Sequence, residues 1–312
     1  MFSRRSLLLS PLAFDAAFLK PHRASDFIDS AGRKVQLSDS IKWILPASPP
    51  AEALLDSLAP EKLVRLIGLW TDVKKLLDIE AVSALHADLI VDYGAIDERY
   101  TAFANKIQTE TGIPYLLLDG RLVKVPQIIR RLGSIVHKDG RAKEIAKTAE
   151  YALKQLAPTM QKPVRERISV YYARGSDGLR AVCAGSSLEE AIVLAGGRNV
   201  VLPGKETFSV MSADDVARLK PSVVILANPA AAELGAPLRQ ALPAETLFLV
   251  DPGLPYGWVE RPPSLNRLSG ALWLASRLYP KEISFSADDA RIMNLMLFDR
   301  FLTDPTINES IG

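Results

Sequence analysis

Side chains that commonly perform catalysis are scarce in this chain. No two of the three histidines, His22, His86 and His137, stand at metal-ligand spacing, and Cys183 is the only cysteine. An intramolecular disulfide and a multi-cysteine zinc site are therefore excluded, and three histidines leave little for a His-based metal cage. His86, between Leu85 and Ala87, reads as a helix-end residue. Cys183 lies in an apolar Ala-Val-Cys-Ala segment with no basic partner nearby, which suits a small buried hydrophobe better than a nucleophile. The G-x-G-x-x-G, G-x-S-x-G and H-E-x-x-H patterns are absent. The Gly204-Lys205 pair fails as a phosphate loop, with Asn199 where the first glycine is needed and Glu206 where Ser or Thr should follow. The expectation is a protein without catalytic residues, resident metal or cofactor. Binding chemistry is better represented. Residues 255–261, Pro-Tyr-Gly-Trp-Val-Glu-Arg, combine two aromatics, Tyr256 and Trp258, with the opposite charges of Glu260 and Arg261. Aromatics offer rigid apolar walls, and arginine forks match carboxylate, phosphate or oxyanion groups.

These residues need a scaffold, and composition says that one exists. With 312 residues, 48% hydrophobic and 24% charged, the chain matches a globular protein and not a disordered one. A formal net charge of +2 gives no support for nucleic-acid binding. Residues 1–24 have the layout of an export leader, with Arg4 and Arg5 before an apolar stretch, and Arg-Arg-Ser followed by three leucines resembles a twin-arginine signal. An amphipathic helix on a cytoplasmic protein is the competing reading. No cysteine near residue 24 supports a lipid anchor. The leader carries four basic residues against Asp15, so without it the formal charge falls from +2 to about −1. The mature protein is expected to be soluble and periplasmic.

From residue 40 onward short apolar runs alternate with helical patterns. Strands are predicted at 42–45, 66–69, 87–92 and 114–118, then at 167–172, 222–226 and 246–250. Helices are predicted at 49–58 and 78–85, then at 187–195, 213–219 and 264–278. This rhythm implies mainly parallel sheets covered by helices, in two groups. Between them residues 125–156 keep helical spacing, with Pro158 and Pro163 as stop signals. A continuous, stiff helical spine between two lobes is the expectation.

Residues 170–201, VYYARGSDGLRAVCAGSSLEEAIVLAGGRNVV, with their G-S-x-x-x-E-x-x-x-L-A-G-G-x-N-V pattern, resemble the C-lobe core of a known family. It comprises the substrate-binding proteins of ABC importers for iron complexes, including ferric siderophores and haem, and for cobalamin. Residues 211–226, MSADDVARLKPSVVIL, resemble the family's helix, Lys-Pro, strand unit, and 77–91, LDIEAVSALHADLIV, resemble its N-lobe counterpart, with His86-Ala87 in place of Lys-Pro. The resemblance runs from about residue 32 to 280. It implies an α/β fold of two Rossmann-like lobes joined by a long spine helix, with the ligand cleft between lobes. The parts are then an export signal at 1–24, an N-terminal lobe at 25–122, the spine at 123–162, a C-terminal lobe at 163–280 and a helical extension at 281–312.

The resemblance also implies a monomer that hands a ferric siderophore or similar metal chelate to an ABC permease and its ATPase. Haem, cobalamin and molybdate or tungstate are alternative ligands, and an α/β metal-site enzyme or assembly protein is the competing class. One carboxylate per lobe is expected to meet permease arginines: Glu80 and Asp214, the latter in place of the family's Glu, with Asp215 as a possible substitute. Parallel sheets bind ligands at the carboxyl ends of their strands. That rule selects Ser48, Trp70, Tyr93, Tyr172 and Arg174, beside Tyr256, Trp258, Glu260 and Arg261.

Overall fold

A computed structural model describes residues 25–64, 79–175, 177–204, 206–227, 236–251 and 264–299. The leader, the strand expected at 66–69, and Trp70, Tyr256, Trp258, Glu260 and Arg261 lie outside the described residues.

The N-terminal lobe begins with an antiparallel hairpin, β1 (Ser25–Ile28) and β2 (Lys34–Leu37), which escapes sequence reading because each strand is only 4 residues long. Then follow β3 (Ile44–Pro46), α1 (Pro49–Leu58), α2 (Ile79–Ala84), β4 (Leu89–Gly94), α3 (Glu98–Thr111) and β5 (Tyr115–Asp119). β3, β4 and β5 form a parallel sheet in that order. The Leu-Ile-Val core of β4 is buried, as the apolar run predicts for a strand covered on both faces. α3 starts where the Asp97 side chain accepts a hydrogen bond from the Tyr100 N–H at 3.0 Å, and stops at Gly112, whose φ of +70° is left-handed.

The expected continuous spine is instead two helices, α4 (Val125–Val136) and α5 (Asp139–Met160). His137 breaks them by adopting φ 58° in the left-handed region, and the Lys138 N–H closes the turn on the Gly133 carbonyl at 2.8 Å. A left-handed histidine lacks the glycine signature that marks most helix stops, so the break is silent in the sequence. The two helices pack face to face. A Cβ on Gly133 would stand 2.2 Å from the Cβ of Ala142, so that glycine permits the close approach. α5 alone, with 22 residues and roughly 33 Å of length, is the spine. Pro158 sits within its last turn and does not end it; the helix runs on to Met160.

The C-terminal lobe contains β6 (Ile168–Arg174), β7 (Arg180–Val182), α6 (Glu189–Leu194), β8 (Gly197–Asn199), β9 (Phe208–Val210), α7 (Ala213–Leu219), β10 (Val223–Leu226), α8 (Ala236–Ala241), β11 (Leu247–Val250), α9 (Asn266–Leu278) and α10 (Ala287–Phe298). Its sheet runs β11-β10-β6-β7-β9, with β8 also paired to β6. β8, β10 and β11 run parallel to β6, while β7 is antiparallel to its neighbours. Gly196, at φ +81°, closes α6 as its sequence predicts. Ala142, Ile145, Ala146, Ala149, Ala152 and Leu156 form the buried stripe of α5, which packs against α4, α6, α9 and α10. α10 also touches α1, so the C-terminal helix ties back to the N-terminal lobe.

Candidate ligand-binding cleft

A cavity of about 730 Å³ lies between the lobes. One wall is Tyr93 and the loops that follow β4 and β5, including Gly94, Asp119, Gly120 and Arg121. The other is the turn and first residues of α6, together with Arg267 in the first turn of α9. The N-terminal wall is thus built at the carboxyl ends of parallel strands, where the path of the chain opens a crevice.

The floor of this cavity is polar and shared by the lobes. Arg267 is 1% exposed. Its Nη2 donates to the Gly120 carbonyl at 2.6 Å, and its Nη1 to the Ser187 carbonyl at 2.7 Å and to Glu190 Oε2 at 3.2 Å. Glu190 Oε1 accepts from the Leu122 N–H at 2.7 Å. Burial pushes the Glu190 carboxyl up, against the pull of Arg267. Gly120 is held in turn by its N–H, which donates to the Gly94 carbonyl at 2.8 Å; a Cβ there would meet the Gly94 backbone at 2.8 Å. At the rim, burial raises the Asp119 carboxyl, but the Arg121 guanidinium, with Nε at 2.9 and 3.0 Å from its oxygens, outweighs this and holds it low.

Tyr93 belongs to the wall, as its strand-end position predicts. Its hydroxyl is buried and makes no hydrogen bond among the described residues. Burial pushes its pKa up to about 12 despite the nearby charge of Arg267, so it is a neutral donor at physiological pH.

The other expected ligand residues fall elsewhere. Ser48 is buried, and its Oγ donates to Asp92 Oδ1 at 3.1 Å, outside the cavity wall. Tyr172 is buried in the C-lobe core and donates to Asp251 Oδ2 at 3.1 Å. Arg174, at the end of β6, stacks on Phe208 with its guanidinium carbon 4.2 Å from the ring centroid; Arg180, its register partner on β7, stands 4.7 Å from the same centroid. Neither arginine lines the cavity. Glu80 and Asp214 are both exposed, one in the first turn of α2 and one in the first turn of α7. Asp215 is committed elsewhere: it forms the capping box with Ser212 and pairs with Arg218, and the Ser212 hydroxyl and N–H hold its carboxyl low.

Sequence reading missed Arg267 and Glu190 as site residues. A signal existed for each. Arg267 is a cation in a helix's first turn, where the dipole disfavours it. Glu190 is the acidic position of the G-S-x-x-x-E pattern. Among the described residues no group of three or more His, Cys, Asp or Glu could hold a metal ion, and no helix is long and apolar enough to cross a membrane. Cys183 is 2% exposed, and burial raises its thiol pKa.

No family model and no curated protein matches this chain. Solved structures do. An ABC transporter solute-binding protein from Sulfurospirillum deleyianum aligns with TM-score 0.78 and 24% identity, covering 91% of this chain and 98% of its own. A periplasmic solute-binding protein from Veillonella parvula gives 0.71 and 18%, covering 92% and 97%. The molybdate-bound periplasmic binding protein of Haemophilus influenzae gives 0.69 and 18%, covering 89% and 99%. With two α/β lobes, a spine helix and a cleft between them, the chain has the fold of the helix-linked, two-lobe periplasmic solute-binding proteins.

Proposed function

We propose that this protein is the non-enzymatic solute-binding component of an ABC importer, exported to the periplasm, which captures an anionic metal chelate and delivers it to the membrane permease and its ATPase. The observation that carries the reading is the cavity of about 730 Å³ between lobes, within the size range of small-molecule sites and lined by polar groups that include the buried hydroxyl of Tyr93. A ferric siderophore suits it best, because the organic chelator contributes the iron ligands and a protein poor in His and Cys need only recognise the complex. Arg261, with Glu260 and the aromatic residues Trp70, Tyr256 and Trp258, adds to that recognition in this reading on the strength of residue type and sequence position alone.

A molybdate-type oxyanion is the second reading. It is favoured by the neutral Tyr93 hydroxyl, a hydrogen-bond donor matched to an acceptor oxygen.

Delivery uses Glu80 and Asp214, exposed carboxylates on separate lobes whose pairing with permease arginines fixes the docked orientation. In cells carrying the cognate importer, Glu80→Ala and Asp214→Ala are expected to lose uptake of a radiolabelled ferric siderophore while the purified variants keep wild-type affinity for it. Normal uptake by both variants would refute the docking role.

A further inference from the structure

The polar groups at the cleft floor form a connected strut between the lobes. Arg267 from α9 reaches the Gly120 carbonyl, Glu190 from α6 receives the Leu122 N–H, and the two side chains bind each other at 3.2 Å. Nearby, Ser264 Oγ donates to the Pro50 carbonyl at 3.1 Å, a third polar link across the junction. The acceptors and donor on the N-terminal side are all backbone groups, so their positions follow the lobe as a body and not a side-chain rotamer. Gly120 is the most constrained, because its loop is pressed against Gly94.

A buried ion pair is a poor way to gain stability, because two charges must leave water before they attract each other. A cation in the first turn of a helix is unfavourable again. What this arrangement does provide is direction. The guanidinium is a planar fork that Ser187 and Glu190 hold on the C-terminal side, so its remaining bond, to the Gly120 carbonyl, is strained or broken if one lobe rotates against the other.

We infer that Arg267 and Glu190 are positioning residues that fix the separation and angle of the two lobes, and with them the width of the cleft. The inference rests on the binding-protein reading for its purpose alone; the geometry of the lobes can be measured with no ligand present. The competing source of rigidity is the apolar seam along α5, which packs against helices of both lobes.

The test is an inter-lobe distance. Lys106 on α3 and Gln240 on α8 are exposed, so Lys106→Cys with Gln240→Cys gives one spin label per lobe, while the native Cys183 is buried away from the reagent. Arg198→Cys with Gln240→Cys gives a control pair inside the C-terminal lobe. In the full chain, pulsed EPR should give one narrow inter-lobe distance. Arg267→Met should broaden or shift it and leave the control pair unchanged. If Arg267→Met does not fold, Arg267→Lys serves with the same two outcomes, because an ammonium cannot reach Gly120, Ser187 and Glu190 together. An inter-lobe distribution identical to wild type would assign rigidity to the α5 seam and overturn the inference, as would broadening of the control pair to the same extent. Neither outcome bears on whether a solute binds, which is measured separately.

Discussion

Across the junction the N-terminal lobe presents backbone, the Gly120 carbonyl and the Leu122 N–H, where the C-terminal lobe presents the charged side chains of Arg267 and Glu190. The same asymmetry appears one layer deeper. Tyr93 on β4 and Tyr172 on β6 occupy comparable places, near the carboxyl end of a central strand, and both are buried. Tyr172 donates to Asp251 within its own lobe, whereas the Tyr93 hydroxyl faces the junction with no bond among the described residues. At this pair of positions the C-terminal tyrosine is matched within its lobe, and the N-terminal one leaves a donor at the cavity. The contrast teaches that similar strand-end positions need not have similar uses. Ligand contact depends on which polar groups the lobe has already matched.

Removing the arginine of the strut should have the largest effect. Arg267→Met leaves the partly buried Glu190 beside the Leu122 N–H without its cation, and a loss of about 2–3 kcal/mol in unfolding free energy, below that of a fully buried pair, is expected from denaturant titration. A loss below about 1 kcal/mol would mean that water replaces the guanidinium at little cost, and the two sides of the junction would then be equivalent. Next comes the satisfied tyrosine. Tyr172→Phe withdraws a donor from the buried Asp251 carboxylate and should cost about 1–3 kcal/mol. Tyr93→Phe removes a hydroxyl that has no hydrogen-bond partner among the described residues, so its stability should stay within about 0.5 kcal/mol of wild type, while affinity for the captured solute falls. If Tyr93→Phe destabilised the protein as much as Tyr172→Phe, the contrast between the lobes would fail.

Much of the fold was legible because the central strands are continuous apolar runs and several helices carry explicit ends. The predicted helices at 49–58 and 213–219 match α1 and α7 residue for residue, since Pro49 opens one and the Ser212–Asp215 capping box opens the other. The short strands β1, β2, β7 and β9 were not legible, because three or four residues carry too little periodicity. The break at His137 was hidden by the absence of glycine. Of the site, Tyr93 was readable from its strand-end position. Arg267 and Glu190 carried only faint marks, a first-turn cation and the acid of the G-S-x-x-x-E pattern, because their partners across the junction are backbone groups more than sixty residues away in the chain, and sequence does not say which carbonyl a guanidinium will meet.

Whether the cleft holds a small anionic complex is decided by native mass spectrometry of the protein purified from its own host. The expected result is a discrete added mass, released on denaturation, that matches a metal chelate. A protein that runs at its bare mass, and gains none when offered ferric siderophores, haem, cobalamin or molybdate, would contradict it.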